Sequence, residues 1–247
     1  MLKKNNLIVL TAVVVISLLL SGMVSAQGTT FLSIATGGTS GTYYPIGGAI
    51  AKVLNENIEG MNASAQSTGA SVTNTRLIYN ESVELAILQN DIASYAVNGE
   101  NQFAENQVKN MEGIAALYPE VIQIIVRDDA GIENIQDLKG KKVAVGAPGS
   151  GAEANAKQIL EFFDLTYEDI EEDYLSFSEA ASRLKDRQID AAFLTAGIPT
   201  AAVMDVASTQ DISLLNFSDE ELNSLNSEYP YLTGVTVPAG TYTGLDE

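Results

Sequence analysis

The sequence predicts an α/β fold built on mostly parallel sheets with helices on both faces. Two observations lead there. Beyond the N-terminal segment, strand-like and helix-like stretches alternate, the pattern of repeated βα units. The strand-like runs are apolar without alternation, as strands covered on both sides should be. With 247 residues, 46% of them hydrophobic, the chain is long enough for a sizeable core in one large domain or two small ones.

Taken in order, the chain starts with Lys3 and Lys4, followed by an apolar run, Leu7 to Leu20, broken only by Thr11 and Ser17; Val24-Ser25-Ala26 comes soon after. That is the layout of a secretory signal peptide cleaved after Ala26. The run is short for a membrane-spanning helix, which needs about 20 apolar residues. Residues 1–26 are therefore read as a leader. Export to the periplasm or the outer cell surface is expected, with an uncleaved membrane tether as the variant. Next, Phe31 to Ala35 reads as a strand, and Tyr44 to Leu54 as a helix with Ile46, Ile50, Val53 and Leu54 on one face. Met61 to Gln66 reads as a second strand, and Val72 to Tyr79 as a helix capped by Thr68 or Ser71. Leu85 to Leu88 is a short strand, and Asp91 begins a helix through Ala96. Ile114 to Leu117 and Val121 to Val126 are strand-like, with a crossover between domains expected at Tyr118-Pro119, where Pro interrupts them. Lys142 to Val145 reads as a buried strand, Ala152 to Phe163 as a helix, and Ser178 as the cap of a helix through Lys185. Ile189 to Leu194 closes the series as a strand.

Composition excludes several functions. The chain has no Cys and no His, so thiolate chemistry, imidazole general bases and most zinc sites are closed to it. With 32 acids against 13 bases and a formal charge of −19, nucleic acid is not an expected partner, because phosphate contacts need a basic face. No cofactor and no metal are expected. The acid cluster Glu168 to Asp173 lacks the alternating ligands and central Gly of a calcium loop. Arg76 and Arg127 could each meet a ligand carboxylate, although surface ion pairing is the simpler reading.

Three loops share one design: each follows a strand, is rich in Gly, Ser or Thr, and opens a helix. They are Thr36 to Tyr43, Gln66 to Ser71 and Gly146 to Glu153. The first amides of a helix lack internal partners, the helix dipole adds about half a positive charge there, and Gly lets the backbone approach a ligand. Such loops can hold an anion without Lys or Arg, and in parallel sheets they gather at the carboxyl ends of the strands. Any one of them could instead be a plain helix cap. The third reads G-x-x-G-x-G and so fits no dinucleotide motif. Asn90 and Asp91 could cap a helix or reach a ligand, and Tyr118 could be core or could stack on a solute. Thr195-Ala196-Gly197 ends a strand and leads to a helix whose first turn suits Pro199.

The strings Gly-Gly-Thr-Ser-Gly-Thr-Tyr-Tyr-Pro (37–45), Ser-Thr-Gly-Ala-Ser-Val-Thr-Asn (67–74), Gln-Asn-Asp (89–91) and Ala-Leu-Tyr-Pro-Glu (116–120) resemble the TAXI family, the solute receptors of TRAP transporters. So do Asp-Leu-Lys-Gly-Lys-Lys-Val-Ala-Val-Gly (137–146), Gly-Ser-Gly-Ala-Glu-Ala-Asn-Ala (149–156) and Pro-Ala-Gly-Thr-Tyr-Thr-Gly (238–244). The resemblance implies a two-lobe type II periplasmic binding protein, a Venus flytrap. Lobe 1 would comprise 27–117 and 216–247, and lobe 2 would comprise 118–215. It implies a receptor that is not an enzyme and binds a small anionic solute, glutamate or a related dicarboxylate. A TRAP integral-membrane subunit would be its partner, and the receptor would work as a monomer. By motif, Thr39, Ser40, Gly41, Thr42, Tyr43, Thr68, Ser71, Gln89 and Asn90 would line the first lobe's wall. Tyr118 would mark the hinge, and Ser150, Gly151, Ala152, Thr195 and Gly197 would line the second wall. The family's members continue beyond Glu247, so the C-terminal part of the first lobe is expected to be missing. Gln66 stands where some relatives carry a basic residue, and Ala70 where Gly is usual. The alternative from another class is an extracytoplasmic hydrolase or lyase using carboxylate or Tyr groups.

Overall fold

The computed structural model describes residues 28–245; the expected leader lies outside the described residues. Two sheets organise the chain. The first holds β1 (Thr30–Ala35), β2 (Met61–Gln66) and β3 (Leu85–Ala86) in the order β2-β1-β3, all parallel. They are linked by helices α1 (Tyr43–Asn57) and α2 (Ser71–Tyr79), and α3 (Asn90–Asn98) follows β3. The helical spacing expected for 44–54 places Ala51, with Ile50 and Leu54 half-buried, against Ile34 and Ala63 of the sheet. On α2 and α3, Val72, Ile92 and Ala96 form a separate small core with Phe103 and Val108.

Residues 111–120 carry no helix or strand and lead from the first sheet to the second. The second sheet has the order β6-β5-β7-β4-β8. Its strands are β4 (Val121–Arg127), β5 (Lys142–Ala144), β6 (Glu171–Asp173), β7 (Ala191–Ala196) and β8 (Ile212–Leu214). Its helices are α4 (Gly151–Phe162), α5 (Phe177–Lys185), α6 (Ala201–Ala207) and α7 (Asp219–Glu228). Strand residues alternate between two cores, as the two-residue period requires. Ile124, Val126, Val143 and Phe193 face Ala156, Ile159 and Leu160 of α4, while Ile125, Ala144, Ala192 and Leu194 face α5 and α6. This sheet is covered on both faces, which is why its strands read as continuous apolar runs.

Several expectations are corrected. Ile114 to Leu117 forms no strand, and Ile114 is 81% exposed; apolar composition alone cannot make a strand without an edge to pair with. The last long strand runs two residues later than expected, over Ala191–Ala196. Strand β4 is antiparallel to both β7 and β8, so the second sheet is mixed. The cap of α5 is Ser176, not Ser178: Ser176 and Glu179 form a reciprocal capping box, the S-x-x-E signature. Residues 216–247 were expected with the first lobe; of these, Leu225 packs into the α4 side of the second core and Tyr242 into its other side. The Tyr242 hydroxyl accepts from Thr200 N at 3.0 Å and donates to Gln123 Oε1 at 2.5 Å, so this segment is fastened to β4 through polar groups as well. Tyr231 reaches back to the first lobe, meeting Tyr95 of α3.

Candidate functional site

The first two loops of the sequence reading meet the second lobe directly, the second of them against the third. In the first loop, Thr42 Oγ1 accepts from Gly197 N at 3.1 Å, and Gly41 lies against the Phe177 ring. In the second, Gly69 approaches Pro148 O, and just after it Thr73 N of α2 donates to Gly149 O at 3.1 Å. The third loop supplies Gly149, Pro148 and the start of α4. Its Ser150 is a helix cap, accepting from Glu153 N at 3.0 Å.

A buried polar network crosses the boundary behind these loops. Asn155 of α4 is at its centre, and is 2% exposed. Its Oδ1 accepts from Gln89 Nε2 at 2.7 Å and from Thr195 Oγ1 at 3.0 Å; its Nδ2 donates to Asp91 Oδ2 at 2.9 Å. Gln89 also fills the space beside Gly151, where any side chain would collide with its carboxamide. A second chain of bonds runs from Gln89 N to Ser71 Oγ (3.1 Å), on to Tyr43 OH (3.3 Å), and from Tyr43 OH to Glu120 Oε2 (2.7 Å). The direction is fixed at its start, because a backbone N–H can only donate. Tyr118 donates to the other Glu120 oxygen over a long 3.4 Å, and its ring meets that of Tyr43 edge-on.

Burial dominates the electrostatics here. It pushes the Glu120 carboxyl up to about 7, against the lowering bond from Tyr43, with the nearby Asp91 charge adding to the rise. Burial also raises Asp91, partly offset by the bond from Asn155, and holds Tyr43 well above the usual phenol range. No Lys or Arg acts on any of the three groups among the described residues. Arg127 pairs with Asp190 at 2.8 Å and with Asp129, and Arg76 is exposed, so neither cation takes part.

A cavity of about 2000 Å³ opens beside this network, larger than a small-solute pocket of about 300–1,000 Å³. It is lined by Tyr43, Gln89, Asn90, Tyr118, Glu120, Asn155 and Thr195, by further charged groups including Lys109 and Glu112, and by apolar residues such as Leu85, Ile114 and Leu117. Of the expected site residues, Tyr43, Gln89, Asn90, Tyr118 and Thr195 thus line one cavity. Thr42, Gly151 and Gly197 lie against the lobe boundary, with Gly41 beside them; Ser71 is buried behind it, bonded to Tyr43 and Gln89, and Ala152 is buried at the start of α4. Thr39 is exposed. Thr68 is turned inward, bonded to Thr36 O at 2.8 Å and Asn74 Oδ1 at 2.6 Å. Ser40 Oγ is buried without a partner.

The helix starts differ. Helices α1, α2 and α3, whose first turns face the boundary, have no side-chain cap; α4, which also opens there, is capped by Ser150; α6 is uncapped, and α5 and α7 have complete capping boxes. Neither Thr68 nor Ser71 caps α2. The cap position is Ala70, at φ 68° and ψ −147°, a region that favours Gly. Ala70→Gly is therefore expected to stabilise the chain by about 1 kcal/mol, the relief of strain exceeding the added chain entropy; urea unfolding of the two proteins measures it. Sequence reasoning missed Asn155, Glu120 and Asn74. The signal for Asn155 was a polar residue on the otherwise apolar face of α4. Asn74 is fully buried and ties the ends of two strands, donating to Thr36 O at 2.6 Å and Ile87 O at 2.7 Å.

Comparison with known proteins adds the following. The model of the NMT1-like family matches residues 34–247. Among solved structures, the alkanesulfonate-binding protein SsuA from Xanthomonas axonopodis pv. citri, bound to MOPS, is 18% identical with a TM-score of 0.52, over 77% of this chain and 62% of that one. A protein from Bordetella bronchiseptica RB50 is 20% identical with a TM-score of 0.59, over 80% of this chain and 60% of that one. An ancestral arginine-binding protein bound to arginine is 16% identical with a TM-score of 0.51, over 76% and 80%. The chain therefore spans less than two thirds of the SsuA and Bordetella proteins. At these identities the likeness is one of fold, and the fold is that of type II periplasmic binding proteins. No helix among the described residues is long and apolar enough to cross a membrane.

Proposed function

The chain belongs to the NMT1-like family, and from that premise we propose that it is an extracytoplasmic solute receptor of the TAXI class. It captures a small anionic solute, glutamate or a related dicarboxylate, between its lobes and delivers it to the membrane subunit of a TRAP transporter. It binds without turnover. The observation that carries this reading is the set of uncapped helix starts, α1, α2 and α3, directed at one boundary between two lobes. Unbonded amides at the positive ends of helices attract a carboxylate; Ile92 N is already held by Asp91 Oδ1 and Thr73 N by Gly149 O, so the remaining first-turn amides would hold it. Asp91 and, when ionised, Glu120 repel an anion, so the carboxylate belongs with the amides and away from those two groups. Lobes that meet through side chains of both walls suit a receptor whose contacts form on closure.

The rival reading, an extracytoplasmic hydrolase or lyase, draws on one observation: a buried carboxyl at about 7 between two Tyr hydroxyls is a group suited to proton transfer. Native mass spectrometry of the purified protein, followed by a thermal-shift panel of amino acids, keto acids and dicarboxylates, separates the two. A receptor retains a solute and melts higher with it, leaving it chemically unchanged. Steady conversion of a panel compound would overturn the receptor reading, and a panel without any shift would remove its basis.

A further inference from the structure

Glu120 is the last residue before β4, at the end of the segment that crosses from the first sheet to the second. Its carboxyl bonds both across the boundary and to its own segment. It reaches Tyr43 of α1 in the first lobe at 2.7 Å and Tyr118 on its own segment at 3.4 Å. The titratable groups that act on it are Tyr43 from α1, Asp91 from α3 and Tyr118, with no Lys or Arg among them. Asp91 is bonded across the boundary to Asn155 of α4, a neutral amide. Two acids thus share one boundary without a counter-charge.

We propose that Glu120 is a proton-controlled latch at the crossing between the lobes: neutral, it lets them stay together, and ionised, it favours their separation. The inference rests on the receptor reading, in which the lobes move, and adds to it a control by external pH. A buried carboxylate with no cation is costly, and water admitted on opening removes that cost. Separation is therefore linked to proton release. The sign follows from the raised value. With the lobes together the carboxyl titrates at about 7; hydrated, it returns toward the ordinary Glu value of about 4.3. Below that lower value both states are protonated and the latch is fully set. Its contribution falls as pH climbs toward 7 and stays lost above it. The Tyr43 bond lowers the Glu120 value, so removing that hydroxyl must move the transition to higher pH.

The chain has no Cys, so Asn57→Cys and Ser208→Cys, both exposed and one on each lobe, accept a spin label each. The experiment is the label-to-label distance in the solute-free full chain between pH 5 and 9. The expected result is a short distance at acid pH and a together-to-apart ratio falling at least tenfold by pH 8. Glu120→Gln should keep the short distance throughout, and Tyr43→Phe should shift the midpoint upward. A pH-independent distance in the parent chain, or an unchanged response in Glu120→Gln, overturns the latch. If Glu120→Gln proves unfolded by circular dichroism, the Tyr43→Phe midpoint decides: unmoved or lowered, it overturns the proposal. Solute is added separately. A pH response with no solute bound at any pH sinks the receptor reading and leaves the latch standing. Solute that draws the labels together at every pH in a chain with no pH response sinks the latch alone.

Discussion

Asn155→Leu is expected to weaken solute binding by about 30-fold to several-hundred-fold while leaving the second lobe folded. The size follows from what the side chain holds. Its amide satisfies Gln89, Asp91 and Thr195 at once, and Leu, of the same branched shape, satisfies none. Leaving buried partners without a bond costs roughly 2–4 kcal/mol when one of them is an acid, and every 1.4 kcal/mol is about tenfold in affinity. Two of the three partners belong to the other lobe, so the loss falls on lobe contact more than on the fold around α4. The Asn155 bond also lowers the Asp91 value. Its removal raises that value further, so the defect should deepen as pH rises and Asp91 is forced to ionise. Calorimetric titration of solute at pH 6 and pH 8, with urea unfolding as the control, measures both effects. Equal affinity in parent and variant would remove Asn155 from the site.

The elements legible in the sequence are those whose burial is decided locally. Of the face expected from Ile46, Ile50, Val53 and Leu54, Ile50 and Leu54 pack against the first sheet while Val53 stays 57% exposed, and the apolar runs at 121–126 and 142–145 became strands covered on both faces. Direction was not legible. Whether β4 runs with or against β7 depends on how the crossing segment delivers it, and the two arrangements bury the same residues. Ile114 to Leu117 failed for a related reason, since apolarity states a need for a partner without naming one. The Ser176 cap was legible through its Glu179 and was overlooked for a nearer Ser. In the site, the Gly-rich loops announced themselves by composition, because the backbone does the work there. Asn155 and Glu120 act through partners far away in the chain, Gln89 and Asp91 for the first and Tyr43 for the second, and neighbouring residues carry no trace of such pairings. Ala70 lies between these cases: its departure from the usual Gly was visible, and its positive φ gives the reason.

Gly151→Ala should separate binding from stability most sharply. Gly151 opens α4 with ordinary helical geometry, since its φ is not among the positive values. Within the second lobe the extra methyl is therefore tolerated, and Ala in a helix is favoured over Gly by about 0.5–1 kcal/mol in mid-helix, less at its first residue. Across the boundary the same methyl lands on the Gln89 carboxamide. Gln89 must turn away, breaking its 2.7 Å bond to Asn155, or the lobes must stay apart. The expected outcome is a melting temperature equal to or slightly above that of the parent, with solute affinity reduced about tenfold to a hundredfold. Gln89→Ala removes the obstacle together with the bond. On that background Gly151→Ala should cost little, so the double-mutant cycle should show strong coupling between residues from opposite lobes. Additive effects would mean that the two residues do not meet when solute is bound, and the polar boundary described above would then not be the surface on which the lobes close.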